Sequence, residues 1–155
     1  MVVLIVKHAK GVALARLDFC VGTGVAVAGA FSLVRFRSAP GSARDIAVII
    51  DVVYNHTTGS HPWARLYWNG SDNVSANNPW YNVVTPHGFG VYQDLNHEVA
   101  MVKEHVNRSL EYLIEEYHVD GFRFDLTKGL TNQSGKDSAY DQSRVDILTG
   151  YYNTI

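Results

Sequence analysis

The chain has 155 residues, of which 46% are hydrophobic and 18% charged, with a formal net charge of −2. This composition suits one folded domain with its own core, provides no basic surplus for nucleic acid, and includes no acidic tail. The lone cysteine, Cys20, excludes an internal disulfide framework and a thiolate zinc site.

The opening "MVVLIVKHAKG" sets an apolar run after Met1, with Lys7 and Lys10 behind it. A signal peptide carries its cations first and a longer apolar core after them. "VGTGVAVAGAF", residues 21–31, falls far short of the ~20 residues that cross a bilayer. Neither a targeting signal nor a membrane span is expected, and the compartment is left open. Residues 12–45 contain no Asn or Trp and show no sustained period, and "SAPGSARD" at 38–45 reads as a loop. The chain divides accordingly into a poorly defined segment, 1–45, and an organised one, 46–155.

"IAVIIDVV", residues 46–53, is a continuous β-branched run, as in a strand buried on both faces of a parallel sheet. Asp51 lies near its carboxyl end. Residues 54–93 form a long polar and aromatic excursion punctuated by the turn signals "TTGS", "NGSDN", "NNPW" and "TPHG". Loops of this length in a compact domain are usually functional. A helix is expected from about Asn96, its N-cap, to about His118, with Val99, Val102, Val106, Leu110, Leu113, Ile114 and Tyr117 on its apolar side. "DGFRFDLT" then alternates, with Phe122, Phe124 and Leu126 on one face and Gly121, Arg123, Asp125 and Thr127 on the other. A last helix, 141–155, would bury Val145, Leu148 and Tyr152.

Strand, loop, helix, strand, loop, helix is a βαβα order and predicts parallel strands. A charged face on the second strand suits the inside of a barrel, whose carboxyl mouth holds polar groups, better than an open sheet covered by helices. The expected fold is therefore α/β, a partial (β/α)8 barrel with a loop subdomain at 54–93.

Arg123 and Asp125 share a strand face, so a guanidinium there keeps the carboxylate ionised. That is what a nucleophile or electrostatic stabiliser in glycoside chemistry requires. On spacing alone, a structural ion pair is the favoured reading. In "DVVYNH", Asn55 carries an oxygen suited to a hard cation such as calcium, and His56 can bond a sugar hydroxyl; turn chemistry is the plainer alternative. The loop interleaves Trp63, Tyr67, Trp68, Trp80, Tyr81, Phe89 and Tyr92 with Asn69, Asn73, Asn77, Asn78 and Asn82. Rings beside amides match carbohydrate, although most of these rings should pack a small subdomain. Asp94, in "YQDLNHE", is a second available oxygen ligand.

"DVVYNH", "YQDLNHE" and "GFRFDLTKG", in this order, resemble three sequence blocks of the α-amylase family of glycoside hydrolases. The first and third match its strand-three and strand-four motifs, and the excursion between them resembles its B subdomain. The resemblance implies an α-glucan substrate, Asp125 as nucleophile and Arg123 as its orienting cation. It also implies that His56 contacts the sugar at the cleaved bond and that Lys128 lines an acceptor subsite; Trp63 and Trp68, by their rings, are the excursion's candidate glucan contacts. Asn55, Asp94 and the Gly129 carbonyl would be candidate calcium ligands; many members have His where this chain has Gly129. A retaining glycosidase needs a second carboxyl group about 5–5.5 Å from the first. Family members take it from strand five, which the chain is not expected to contain, so the catalytic set is expected to be incomplete and the chain inactive alone. A full barrel takes ~250 residues. "KHAKG", residues 7–11, also resembles the family segment that runs directly into "IAVIIDVV", which suggests that residues 12–45 are an insertion. A non-catalytic carbohydrate-binding or structural piece is the alternative reading.

Overall fold

The computed structural model describes residues 3–6, 33–37 and 46–155, with side chains from residue 49 onward. The expected loop at 38–45, Cys20 and most of the suggested insertion lie outside the described residues.

The main sheet contains β1 (Val3–Val6), β2 (Leu33–Arg37), β3 (Ile46–Val52) and a later strand, β7 (Gly121–Phe124), in the order β1-β7-β3-β2. β3 and β7 are parallel neighbours, with Ile50 opposite Phe122 and Asp51 opposite Arg123. The expected parallel pairing therefore holds for the strands that carry the motifs. It does not extend to the flanks, where β1 runs antiparallel to β7 and β2 antiparallel to β3. Both flanking strands come from residues 1–45, the segment read from sequence as poorly defined. The described residues thus form a mixed α/β fold whose main sheet has a parallel central pair.

Alternation fixes the two faces of that pair. Ile50, Val52, Phe122 and Phe124 are buried against Val106 and Leu110 of α2 (Ala100–Tyr117) and Ile147, Leu148 and Tyr151 of α3 (Gln142–Thr154). Asp51 and Arg123, one position along each strand, point to the opposite face. β7 ends at Phe124. Leu126 turns into the left-handed region at φ 51° and opens a 3-10 turn, Thr127–Leu130, so the expected alternation stops short of Leu126 and Thr127. For an L-residue that conformation costs about 1–2 kcal/mol.

Helix boundaries differ from expectation in detail. α2 begins after Val99, which makes no side-chain cap, and Asn96 instead accepts from the Glu98 amide one turn earlier at 3.0 Å. α2 ends where His118 adopts the left-handed conformation at φ 53° and its amide reaches the Ile114 carbonyl. Tyr117 is 64% exposed and lies off the apolar stripe. In α3, Asp141 is the N-cap, accepting from the Ser143 amide at 3.1 Å. Its buried stripe is Ile147, Leu148 and Tyr151; the expected Val145 and Tyr152 are exposed because packing on the sheet rotates the contact face by about one residue. Among the described residues no helix is long and apolar enough to cross a membrane.

The excursion folds on itself. β4 (His56–Thr57), β6 (Gln93–Leu95) and β5 (Tyr81–Asn82) form a small antiparallel sheet, and α1 (Pro62–Leu66) packs beside it. Ala64, Val74, Tyr81, Leu95 and Val102 form a second core, to which Trp63, Trp68 and Trp80 are packed. Val102 joins this cluster and Val106 the first, so α2 ties the excursion to the sheet.

Candidate active site

Arg123 is the centre of the charged face. It donates to Asp51 through one guanidinium nitrogen and to Asp125 Oδ1, at 3.2 Å, through the other. Asp51 stands in register with it across the parallel pair, and Asp125, just past the strand end, is anchored by its amide to the Val52 carbonyl at 2.9 Å. The pair expected from spacing is thus a carboxylate–guanidinium–carboxylate chain. Asp51 is the member that reading one strand at a time misses. Its signal was an acid placed, like Arg123, within an apolar run. The side chain of Asp125 is 39% exposed, that of Asp51 only 16%, so the outer carboxylate is the one a ligand can reach.

His56 lies at the start of the excursion, buried, with Nδ1 donating to Asn55 Oδ1 at 2.7 Å. Burial pushes its pKa below the usual imidazole value, against the opposing pull of Asp94. A neutral ring with its proton on Nδ1 leaves Nε2 as an acceptor for a hydroxyl. Tyr92, 58% exposed, lies with its ring 6.0 Å from that of His56 and is the ring of the excursion best placed to meet a ligand beside it.

The expected sugar-contacting tryptophans serve the packing of the excursion. Trp63 stacks on Trp80 at 5.2 Å and meets His105 at 4.4 Å. Trp68 donates to the Ser71 carbonyl at 3.0 Å, carries the Arg65 guanidinium over its ring at 4.7 Å, and leaves no space for a side chain at Gly59. Lys128 sits in the 3-10 turn with its ammonium 4.5 Å from the centre of the Phe89 ring.

The expected calcium ligands are otherwise engaged. Asp94 gives one oxygen to His87 at 3.0 Å and the other to the Asn82 amide at 2.8 Å. Asn55 spends its oxygen on His56, while its Nδ2 is buried without a partner against the α-carbon side of Gly129. No group of three or more His, Cys, Asp or Glu is gathered for a metal among the described residues. In this arrangement one bond to each Asp94 oxygen and one to the Asn55 oxygen are made within the protein.

His87, within "TPHG", is buried here although sequence reading gives it only a turn. Its Nδ1 faces the Phe89 carbonyl at 2.9 Å and its Nε2 faces Asp94. Both ring nitrogens therefore face oxygen acceptors. Asn82 extends the network to Asn132 at 2.9 Å, in the segment after the 3-10 turn. The cleft between α2 and α3, lined by Glu98, Lys103, Ser143 and Asp146 among others, touches none of these groups.

The charged face thus carries a strand-end carboxylate held by a guanidinium, with a buried histidine at the start of the excursion. The chain is homologous to glycoside hydrolases of the α-amylase family, over part of their length. It is 36% identical over 140 residues to the glycogen operon protein GlgX homolog of Mycobacterium tuberculosis, covering 85% of this chain and 17% of that protein. It is 32% identical over 121 residues to the isoamylase of Pseudomonas amyloderamosa, covering 70% and 15%. To alpha-amylase 3 of Dictyoglomus thermophilum it is 30% identical over 111 residues, covering 61% and 22%. The chain thus spans less than a quarter of the length of these curated relatives. No family model matches it.

Proposed function

We propose that this chain carries the nucleophile-bearing part of a retaining hydrolase acting on α-1,4-glucosidic bonds of starch- or glycogen-type glucans. The observation that carries the reading is Arg123 held between Asp51 and Asp125 at the carboxyl ends of adjacent parallel strands. The names of the relatives support the substrate class.

In this reading Asp125 attacks the anomeric carbon as the glycosidic oxygen departs with a proton, and water later releases the sugar from the aspartyl ester. Arg123 donates to the nucleophile and directs one of its oxygens. His56 accepts a proton-bearing hydroxyl of the same sugar through Nε2. Among the described residues, the other acid on Arg123 is Asp51, which is held in its own ion pair.

A glycosyl fluoride isolates the nucleophile, because fluoride departs without a general acid. Incubation with a 2-fluoro-maltosyl fluoride should add one sugar to Asp125, seen by intact mass and peptide mapping, and Asp125→Asn should abolish the adduct. An adduct on any other residue, or none, would sink the assignment. Saturable maltooligosaccharide binding without labelling would favour a purely carbohydrate-binding role, which the exposed Tyr92 beside His56 would also serve.

A further inference from the structure

Lys128 is a cation held by a ring. Its ammonium lies 4.5 Å from the Phe89 centroid, and among the described residues it forms no ion pair and no side-chain hydrogen bond. A carboxylate partner would occupy the ammonium protons, whereas a ring face attracts the charge and leaves the protons available. Lysine also carries a long flexible stem, so without such a contact its head would sample many positions.

Phe89 itself belongs to neither hydrophobic cluster. It is placed by His87, whose ring stacks on it at 3.7 Å and 6°. His87 is fixed at both nitrogens, by the Phe89 carbonyl at 2.9 Å and by Asp94 at 3.0 Å. Asp94 is fixed in turn by Asn82 at 2.8 Å. The end of the excursion is therefore built around a ring stack aimed at the turn after β7, not around apolar burial.

We propose that Phe89, seated on His87, is a positioning residue that presents Lys128 to glucan hydroxyls, so that the excursion sets a binding contact made from the strand-end turn. The inference rests on the glucan reading above. It assigns a role to two residues of the excursion that make no apolar core.

A double-mutant cycle tests it on the full chain, with maltoheptaose as the probe and binding followed by calorimetry. Lys128→Met should weaken binding and Phe89→Leu, which keeps apolar bulk but loses the ring, should weaken it roughly three- to fivefold, the scale of an exposed cation–ring contact. In the Lys128→Met background Phe89→Leu should have no further effect, whereas with Lys128 present Phe89→Tyr, which keeps the ring, should bind as the wild-type chain does. Thermal melts of each variant separate loss of fold from loss of contact. Additive losses in the double variant, or a Phe89→Tyr as weak as Phe89→Leu, would overturn the inference while leaving the glucan reading intact. No binding by the wild-type chain would remove that reading and this inference together.

Discussion

Asp51 and Arg123, 72 residues apart in the chain, stand opposite each other in the parallel register of β3 and β7 and share an ion pair that turns the guanidinium toward Asp125. The pair does two things. It gives a half-buried cation a second carboxylate beside Asp125, and it fixes which guanidinium nitrogen is left for the candidate nucleophile.

Asp51→Asn should therefore leave Arg123 mobile and slow the labelling of Asp125 by about tenfold or more, through lost orientation of the nucleophile. The same change should lower stability by about 1–2 kcal/mol, since the pair is only partly buried. Unfolding in urea and the labelling rate together check this. An unchanged rate would mean that Asp125 is oriented without help from Arg123.

Gly129→Ala should destabilise the protein. A Cβ there would stand 2.5 Å from Asn55 Nδ2 and 3.0 Å from Asn55 Cβ, and Asn55 is fully buried. Overpacking of this kind costs about 1–3 kcal/mol. A denaturant midpoint equal to that of the parent chain would show that Asn55 has room to move.

Stability should fall on acidification through the histidine range. His97 is fully buried, donating to the Tyr54 carbonyl and accepting from the Tyr151 hydroxyl, each at 2.7 Å, and burial pushes its pKa down to about 4 from 6.5. The unfolded chain takes up a proton below pH 6.5 that the folded one refuses until about pH 4. Stability is therefore full above pH 6.5 and lost progressively as the pH falls toward 4, by about 3 kcal/mol from this group. Melting curves across that window check the slope. His97→Gln, which keeps one donor and one acceptor, should flatten it, and an unaltered slope would assign the effect to other groups.

Trp63→Ala and Tyr92→Ala should separate packing from contact. Trp63 stacks on Trp80 and supports the second core, so its loss should cost about 2–4 kcal/mol of stability. Tyr92, 58% exposed, should leave the melting temperature unchanged while weakening maltoheptaose binding. A stable Trp63→Ala variant that fails to bind would reverse the two assignments.

Local patterns carried far in this chain. The β-branched run 46–52, the alternation of Phe122 with Arg123 and the apolar stripe of α2 are all set by periods of two or 3.6 residues, which neighbouring side chains impose without outside help. Patterns weakened where a distant partner decided the outcome. Val145 and Tyr152 are apolar at helical spacing, yet the sheet selects Ile147, Leu148 and Tyr151 as the buried stripe. Trp63 and Trp68 carry rings suited to sugar, yet the nearest surfaces for them were Trp80, His105 and Arg65. Asp94 reads from sequence as an oxygen donor in a loop, and the fold brings His87 and Asn82 to its two oxygens.

By itself the sequence determined that two opposite charges would lie on one strand face, because alternation is a property of a single strand. It also determined that an aromatic excursion would separate that strand from its parallel neighbour. Only the tertiary structure decided that Asp51 completes the charged chain, that His87 and Phe89 stand behind Lys128, and that antiparallel strands flank the central pair. Those contacts depend on register and closure between segments tens of residues apart, which no local period encodes.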